Sequence, residues 1–185
     1  MELILVRHPR PLVADGICYG GSDLDVAPDE VARVHASLHA AGLPANAPVY
    51  SSPLLRCMRL ARMLAAAPIL DPDLAEMRFG AWEHRSWNDI PRAEVDAWAA
   101  DLLRYRPGGG EAVLDVARRV AHALGRIRAN GAEQAIVICH AGTIRLLASL
   151  ARQLPLEEAA LAAAAAPHGI GYGAVLRLAL DAKPA

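Results

Sequence analysis

Arg7-His8 and His140 each stand directly after a short apolar run, Leu3 to Val6 in the first case and Ala135 to Cys139 in the second. Holding an arginine or a histidine at the end of a buried strand is costly without a partner for it. In layered α/β folds ligands collect outside the carboxyl ends of the strands, so two such strands lying parallel and adjacent would turn both histidines to one crevice. A third cation follows the same logic. Val49 to Ser51 reads as a strand, and Ser52-Pro53 as an N-cap followed by proline at the first helical position, which puts Arg56 on the first turn of the next helix. The helix N-terminus and the guanidinium both favour an anion there. Two arginines and two histidines around one point repel each other unless something negative lies between them, and a phosphoryl group matches the paired donors of arginine. A histidine with one ring nitrogen tied to a backbone acceptor presents the lone pair of the other to phosphorus, which permits a covalent phosphohistidine. The leaving oxygen then needs a proton. Glu76 and Glu83 are the carboxylic acids in range along the chain.

The elements that must position these groups alternate along the chain as short apolar runs and helix-like segments, the pattern of an α/β layer fold. Glu2 to Val6 reads as a buried strand, residues 9 to 28 as a long loop, and Asp29 to Ala41 as a helix stopped by Gly42. After the Val49 to Ser51 strand, a helix is expected from Pro53 to about Ala66, a short strand at Ile69-Leu70, and irregular chain from 71 to 92. Helices follow from Ala93 to about Arg104 and from Glu111 to about Ala129, separated by the turn Pro107-Gly108-Gly109-Gly110. The Ala135 to Cys139 strand leads into a helix from Gly142. The alanine tract at 159 to 166 reads as a surface helix. Ile170, Tyr172, Ala174, Leu176, Leu178 and Leu180 recur with a period of two, as in a strand with one apolar face.

Composition narrows the function classes. The 185 residues suit one domain, 1 to 185, and a full core. With 19 Lys and Arg against 20 Asp and Glu there is no bias toward nucleic acid or an anionic membrane, so an anion site must be a local cluster. The start MELILVRH lacks a basic segment before a long apolar stretch, and no apolar run approaches ~20 residues, so a cytoplasmic protein is expected. Cys18, Cys57 and Cys139 are odd in number and lack metal-ligand spacing, and read as buried thiols. His35, His39, His122 and His168 read as surface or structural groups. His35 and His39, four apart, have no third metal ligand nearby. Trp82, Trp87 and Trp98 read as core or lid, and Arg59, Arg62, Arg118, Arg119, Arg145 and Arg152 as solvated helix faces.

Four stretches together resemble one family. LVRHPRP is similar to the RHG signature of the histidine phosphatase superfamily, also called phosphoglycerate-mutase-like, with proline where glycine is usual. SSPLLRCMRLA resembles its arginine-bearing second motif, LAEMRFGAWE its acid-bearing segment, and VICHAGTIRLL its second-histidine motif, in order over nearly the whole chain. The resemblance implies a three-layer sandwich with a mostly parallel central sheet flanked by helices. It implies His8 as nucleophile, Glu76 as proton donor, and Arg7, Arg56, His140 and the Ala141 backbone N–H as ligands of the phosphoryl oxygens. It implies no cofactor and no metal. The departures are Pro9 for glycine and His84 where the pattern GxWEG ends in glycine.

FGAWE and RPGGGEAVLDVARRV further resemble the adenosylcobalamin/α-ribazole phosphatase branch, with Ala112 in place of that branch's serine. Within that resemblance Glu83, Trp82 and Glu111 are the expected substrate or lid residues, and the partner is a small phosphorylated metabolite, α-ribazole 5′-phosphate or adenosylcobalamin 5′-phosphate. A homodimer is compatible. A mutase or broad sugar-phosphate phosphatase is the alternative within enzymes, and a phospho-ligand binding protein without turnover the alternative outside them.

Overall fold

The computed structural model describes residues 1–167 and 169–180, so the expectation for His168 lies outside the described residues. Five strands form one sheet in the order β3-β2-β4-β1-β5: β1 Glu2–Arg7, β2 Val49–Ser51, β3 Ile69–Leu70, β4 Gln134–Cys139 and β5 Val175–Ala179. β1, β2, β3 and β4 run parallel, and β5 pairs antiparallel with β1. The apolar runs of β1 and β4 are buried on both faces, as parallel strands covered by helices require. Alternate side chains divide between two cores. Ile4, Val6, Ile136 and Ile138 meet α1 (Pro28–Ala40) and α2 (Leu55–Leu64) on one side. Leu3, Leu5 and Val137 meet α4 (Val113–Ala129), α5 (Ala141–Ala151) and α6 (Leu156–Ala165) on the other. The fold is therefore α/β with helices on both faces of a mostly parallel sheet.

Four local expectations need correction. Pro53 does not begin α2: Ser52 Oγ accepts from Leu54 N at 3.3 Å, a local turn that delays the helix to Leu55. The alanine-rich α6 is not a surface helix throughout, because Ala159, Ala160 and Ala163 are buried in the core beside α4 and α5. The third helix, α3, spans Arg92–Ala100 and stops short of Arg104. The last strand starts only at Val175, and Val175 and Leu176 on it are exposed rather than forming a clean apolar face.

The segment between β3 and α4 closes over the carboxyl edge of the sheet through short 3-10 turns at Pro72–Leu74, Gly80–Trp82, Trp87–Asp89 and Pro107–Gly109, with α3 among them. Buried Trp82 anchors it. Its ring lies edge-on to Trp87 and Trp98, and its Nε1 donates to Glu94 at 2.6 Å. Two of the turns touch backbone to backbone: a Cβ at Gly80 would stand 2.2 Å from the Gly108 oxygen, and both glycines have positive φ.

His84 follows this turn with φ of +65°, a left-handed conformation that glycine adopts more freely. Relieving it is worth roughly 1–2 kcal/mol, less roughly 0.5–1 kcal/mol for the extra freedom glycine has when unfolded. His84→Gly should therefore raise folding stability by about 0.5–1 kcal/mol in denaturant unfolding. A lower midpoint would show that the imidazole makes a contribution larger than its strain.

Candidate active site

The parallel register sets the centre of the site. Arg7 pairs with Cys139, so the chain leaves β1 and β4 side by side with His8 next to His140. Their ring centroids are 5.0 Å apart, and both residues are buried. His8 Nδ1 lies 2.7 Å from the Pro9 carbonyl oxygen, which can only accept, so Nδ1 carries the proton and Nε2 keeps its lone pair. Ser51 at the end of β2 pairs with Ile138, which brings Ser52 beside His140: Ser52 Oγ is 2.9 Å from His140 Nε2. The Cys57 sulfur packs 3.5 Å from the same nitrogen. All three cysteines are buried and free.

Arg56, on the first turn of α2, is fully buried, and donates to the carbonyl oxygens of Ser22 at 2.7 Å and Gly20 at 2.5 Å. Arg7 donates to the Ile170 oxygen and lies 3.9 Å from the centre of the Tyr172 ring. The Nε atoms of both arginines are buried without a hydrogen-bond partner among the described residues. Burial, then the Arg56 charge, lowers the His8 pKa well below that of free histidine, and the same two causes lower that of His140. Both rings are neutral at neutral pH.

Arg7, His8, Arg56, Glu76 and Ala141 border one cavity of about 590 Å³. Its outer wall is aromatic and aliphatic, with Phe79, Trp87, Trp98, Leu102, Val113 and Leu146. The carboxylate of Glu76 accepts from its neighbour Met77 N at 3.0 Å and from Gly142 N, in the first turn of α5, at 3.1 Å. A side chain at Gly142 would collide with it, since a Cβ there would stand 2.5 Å from Glu76 Oε1. The structure thus brings together Arg7, His8, Arg56, Glu76 and Ala141. His140 lies behind His8 and is not part of the cavity lining.

Glu83, Trp82 and Glu111 were expected near substrate, and none of them lines the cavity. Trp82 is buried beneath the aromatic wall. Glu83 accepts from the backbone N–H groups of Gly20, Gly21, Ser22 and Phe79 and from the Ser22 hydroxyl. Burial alone would raise its pKa, but the hydrogen bonds from Ser22, Phe79 and Gly20 hold it below the usual carboxylate value. It pins the 20–22 loop, whose carbonyls hold Arg56, to the 79–83 turn. Glu111 accepts from Arg119 Nε at 3.0 Å and from the backbone of Arg78 at 2.9 Å.

Five residues at or around the site escaped the sequence. Arg119 is not on a solvated face: it bonds Glu111 and donates to the carbonyl oxygens of Asp73, Ala75 and Glu76, fixing the segment that carries Glu76. Arg126, seven residues along α4, grips Asp71 and Asp73 of the same segment, and that heptad spacing beside the apolar stripe is the signal that could have found the pair. Arg145 also departs from expectation. It borders the cavity, donates to the Ala166 oxygen at 2.8 Å, and has its pKa lowered by burial. Tyr19 and Tyr172, whose hydroxyls meet at 2.7 Å, lie against Arg56 and Arg7 respectively, and no local pattern announces them. Among the described residues no group of three or more His, Cys, Asp or Glu is placed to hold a metal ion, and no helix is long and apolar enough to cross a membrane.

The chain belongs to the histidine phosphatase superfamily (branch 1), whose family model matches residues 3–169. Among curated relatives, it is 37% identical over 162 residues to the bifunctional protein Rv2228c of Mycobacterium tuberculosis. That match takes in 81% of this chain and 44% of the relative, so the chain spans less than half the length of that protein. It is 28% identical over 172 residues to the adenosylcobalamin/alpha-ribazole phosphatase of Salmonella typhimurium, covering 87% of this chain and 83% of the relative. The crystal structure of the alpha-ribazole phosphatase from Shigella flexneri shares the fold with a TM-score of 0.79 at 23% identity, over 96% of this chain and 89% of that one.

The lowered pKa values of His8 and His140 set the sign of the pH dependence of stability. Unfolded, each titrates near ~6.5, so below that pH the unfolded chain holds more protons than the folded one. Stability from this source is complete above about pH 6.5 and falls with acid, by up to about 1.4 kcal/mol per pH unit for each histidine. Denaturant midpoints taken from about pH 8 to about pH 5 should decline, and His8→Gln should flatten the decline by one proton. A midpoint that rises toward acid would contradict a neutral pair.

Proposed function

We propose that this protein hydrolyses phosphomonoesters through a phosphohistidine at His8, without a metal ion. The observation that carries the reading is the His8 ring itself: its Nδ1 proton is held by the Pro9 carbonyl, and the ring borders the cavity together with Arg7 and Arg56. Nε2 attacks phosphorus, the N–P bond forms, and the bond to the leaving oxygen breaks. Arg7, Arg56, His140 and the Ala141 N–H, among the first unpaired amides of α5, take the phosphoryl oxygens. For His140, whose Nε2 faces Ser52, this requires exchanging the hydroxyl for a phosphoryl oxygen.

Glu76 is the proton donor. Glu83, with five donors around its carboxylate, is committed to pinning the 20–22 loop away from the cavity lining, whereas Glu76 borders the cavity with His8. Glu76 passes its proton to the leaving oxygen. A water then attacks the phosphohistidine while the Glu76 carboxylate takes its proton, and phosphate is released.

The proposed substrate is α-ribazole 5′-phosphate, with adenosylcobalamin 5′-phosphate as the larger alternative. Support comes from the 28% identity to the Salmonella enzyme and from the wall of Phe79, Trp87 and Trp98, suited to a flat leaving group. A cavity of about 590 Å³ encloses a nucleotide-sized molecule, while a phosphorylated corrinoid would leave most of its body outside. Buried Ala112 offers no hydroxyl to either.

His8→Ala should abolish turnover without unfolding the chain, and acid-quenched wild type given labelled substrate should carry acid-labile phosphate. Retention of more than about a hundredth of activity would sink the covalent route, since losing a nucleophile of this kind costs far more than a factor of ~10². Chelators should change nothing; loss in EDTA restored by Mg²⁺ or Zn²⁺ would overturn the metal-free reading. In a substrate panel α-ribazole 5′-phosphate should exceed 3-phosphoglycerate and common sugar phosphates, and the reverse order would displace it as the substrate.

The two carboxylates separate by leaving group. A poor alkoxide leaving group needs the proton and p-nitrophenolate hardly does, so Glu76→Gln should depress alkyl phosphate hydrolysis about 10²-fold or more, and p-nitrophenyl phosphate hydrolysis far less. Glu83→Gln should lower thermal stability and weaken both substrates alike. The opposite pattern would move the acid role to Glu83.

A further inference from the structure

Tyr19 stands in the loop after β1 and Tyr172 in the chain leading into β5, 153 residues apart, and their hydroxyl oxygens are 2.7 Å from each other. Each ring lies against one site arginine: the Arg7 Cζ is 3.9 Å from the centre of Tyr172, and the Arg56 Cζ is 5.5 Å from that of Tyr19. Tyr172 is further fixed by its neighbour, since Gly173 N donates to the Arg7 oxygen at 3.1 Å, and its ring is 5.6 Å from that of His8. Two hydroxyls bring two protons, and the contact between them uses one. The other has no acceptor among the described residues. Tyr19 borders the cavity with Arg7, His8 and Arg56, whereas Tyr172 does not. With Tyr172 donating to Tyr19, the proton left over is on Tyr19, facing the cavity. Meanwhile Pro9, directly after His8, has no N–H to offer an oxygen there.

We propose that Tyr19 is a further catalytic residue, its phenolic O–H donating to an oxygen of the phosphoryl group held by Arg7 and Arg56, with Tyr172 as the positioning residue that orients it. Burial raises the Tyr19 pKa, so the hydroxyl stays protonated through the reaction. The donor serves the phosphoryl oxygens rather than the leaving group, and adds a phenolic O–H to the guanidinium, imidazole and backbone donors.

The inference rests on the phosphomonoesterase reading above, and the test keeps the two apart. Tyr19→Phe, Tyr172→Phe and the double variant keep both rings on their arginines and remove only hydroxyls. Tyr19→Phe should lower kcat/KM about 10- to 100-fold on p-nitrophenyl phosphate and on an alkyl phosphate alike, and weaken inhibition by orthovanadate by a similar factor. Tyr172→Phe should cost less than about 10-fold, and the double variant should match Tyr19→Phe, because the second hydroxyl acts only through the first. Melting temperatures should stay within a few degrees of wild type. A Tyr19→Phe enzyme within about twofold of wild type overturns the proposal, as do losses that multiply in the double variant or that follow melting temperature. If His8→Ala is also active, the phosphohistidine reading falls; if His8 is essential and the tyrosine variants are silent, only this inference falls.

Discussion

Burying two histidines 5.0 Å apart beside two arginines is tolerable only while both rings are neutral, and the surrounding structure is organised by that constraint. The parallel register of β1 and β4 forces the two rings together, so the chain cannot relieve the repulsion by moving one of them without breaking the central pair of the sheet. Each ring instead has a nitrogen occupied by a neutral partner, Pro9 oxygen for His8 and Ser52 hydroxyl for His140. The terminal nitrogens of the arginines are held in the same way, by the carbonyls of Ser22, Gly20 and Ile170 rather than by carboxylates. No acid among the described residues bonds these cations directly, which leaves the positive charge available to an anion entering the cavity.

The acids act one step away, on the backbone that carries the cations and on the wall opposite them. Glu83 gathers the amides of 20–22 and so sets the carbonyls that hold Arg56. Glu111 and Arg119 lock the segment 73–76, and with it the position of Glu76 against Gly142. A partly buried pair such as Glu111 with Arg119 is a weak source of net stability but a strong source of geometry, since removing one partner strands the other. The placement of Glu76 therefore depends on α4 as much as on its own loop.

Much of this was legible because it follows short-range rules. The apolar runs ending in His8 and His140, and the order of strand, serine pair and Arg56, fix which groups meet once the strands are known to be parallel. What stayed hidden depends on tertiary approach. Arg119 and Arg145 look like ordinary helix arginines, and only the segment packed over each, 73–76 and the end of α6, turns them inward. The alternation from Ile170 reads as strand from its first residue. The chain bends there instead, to give Arg7 the Ile170 oxygen and the Tyr172 ring, and pairs with β1 only from Val175. The alanines of α6 look solvent-tolerant by composition, yet their small size is what lets that helix sit close beside α4 and α5.

Proline after His8 shows how the two halves of a backbone unit can be used separately. The histidine needs a carbonyl acceptor to hold its tautomer, and proline supplies one on a chain stiffened at φ. An N–H at the same residue would serve a different client, an oxygen of the bound group, and proline gives that up. The exchange is consistent only if the bound group finds its donors elsewhere, and here Arg7, Arg56, Tyr19 and Ala141 all border the same cavity. A site with donors on separate elements gains precision from a rigid loop, because the nucleophile is then the one part whose position no ligand has to adjust.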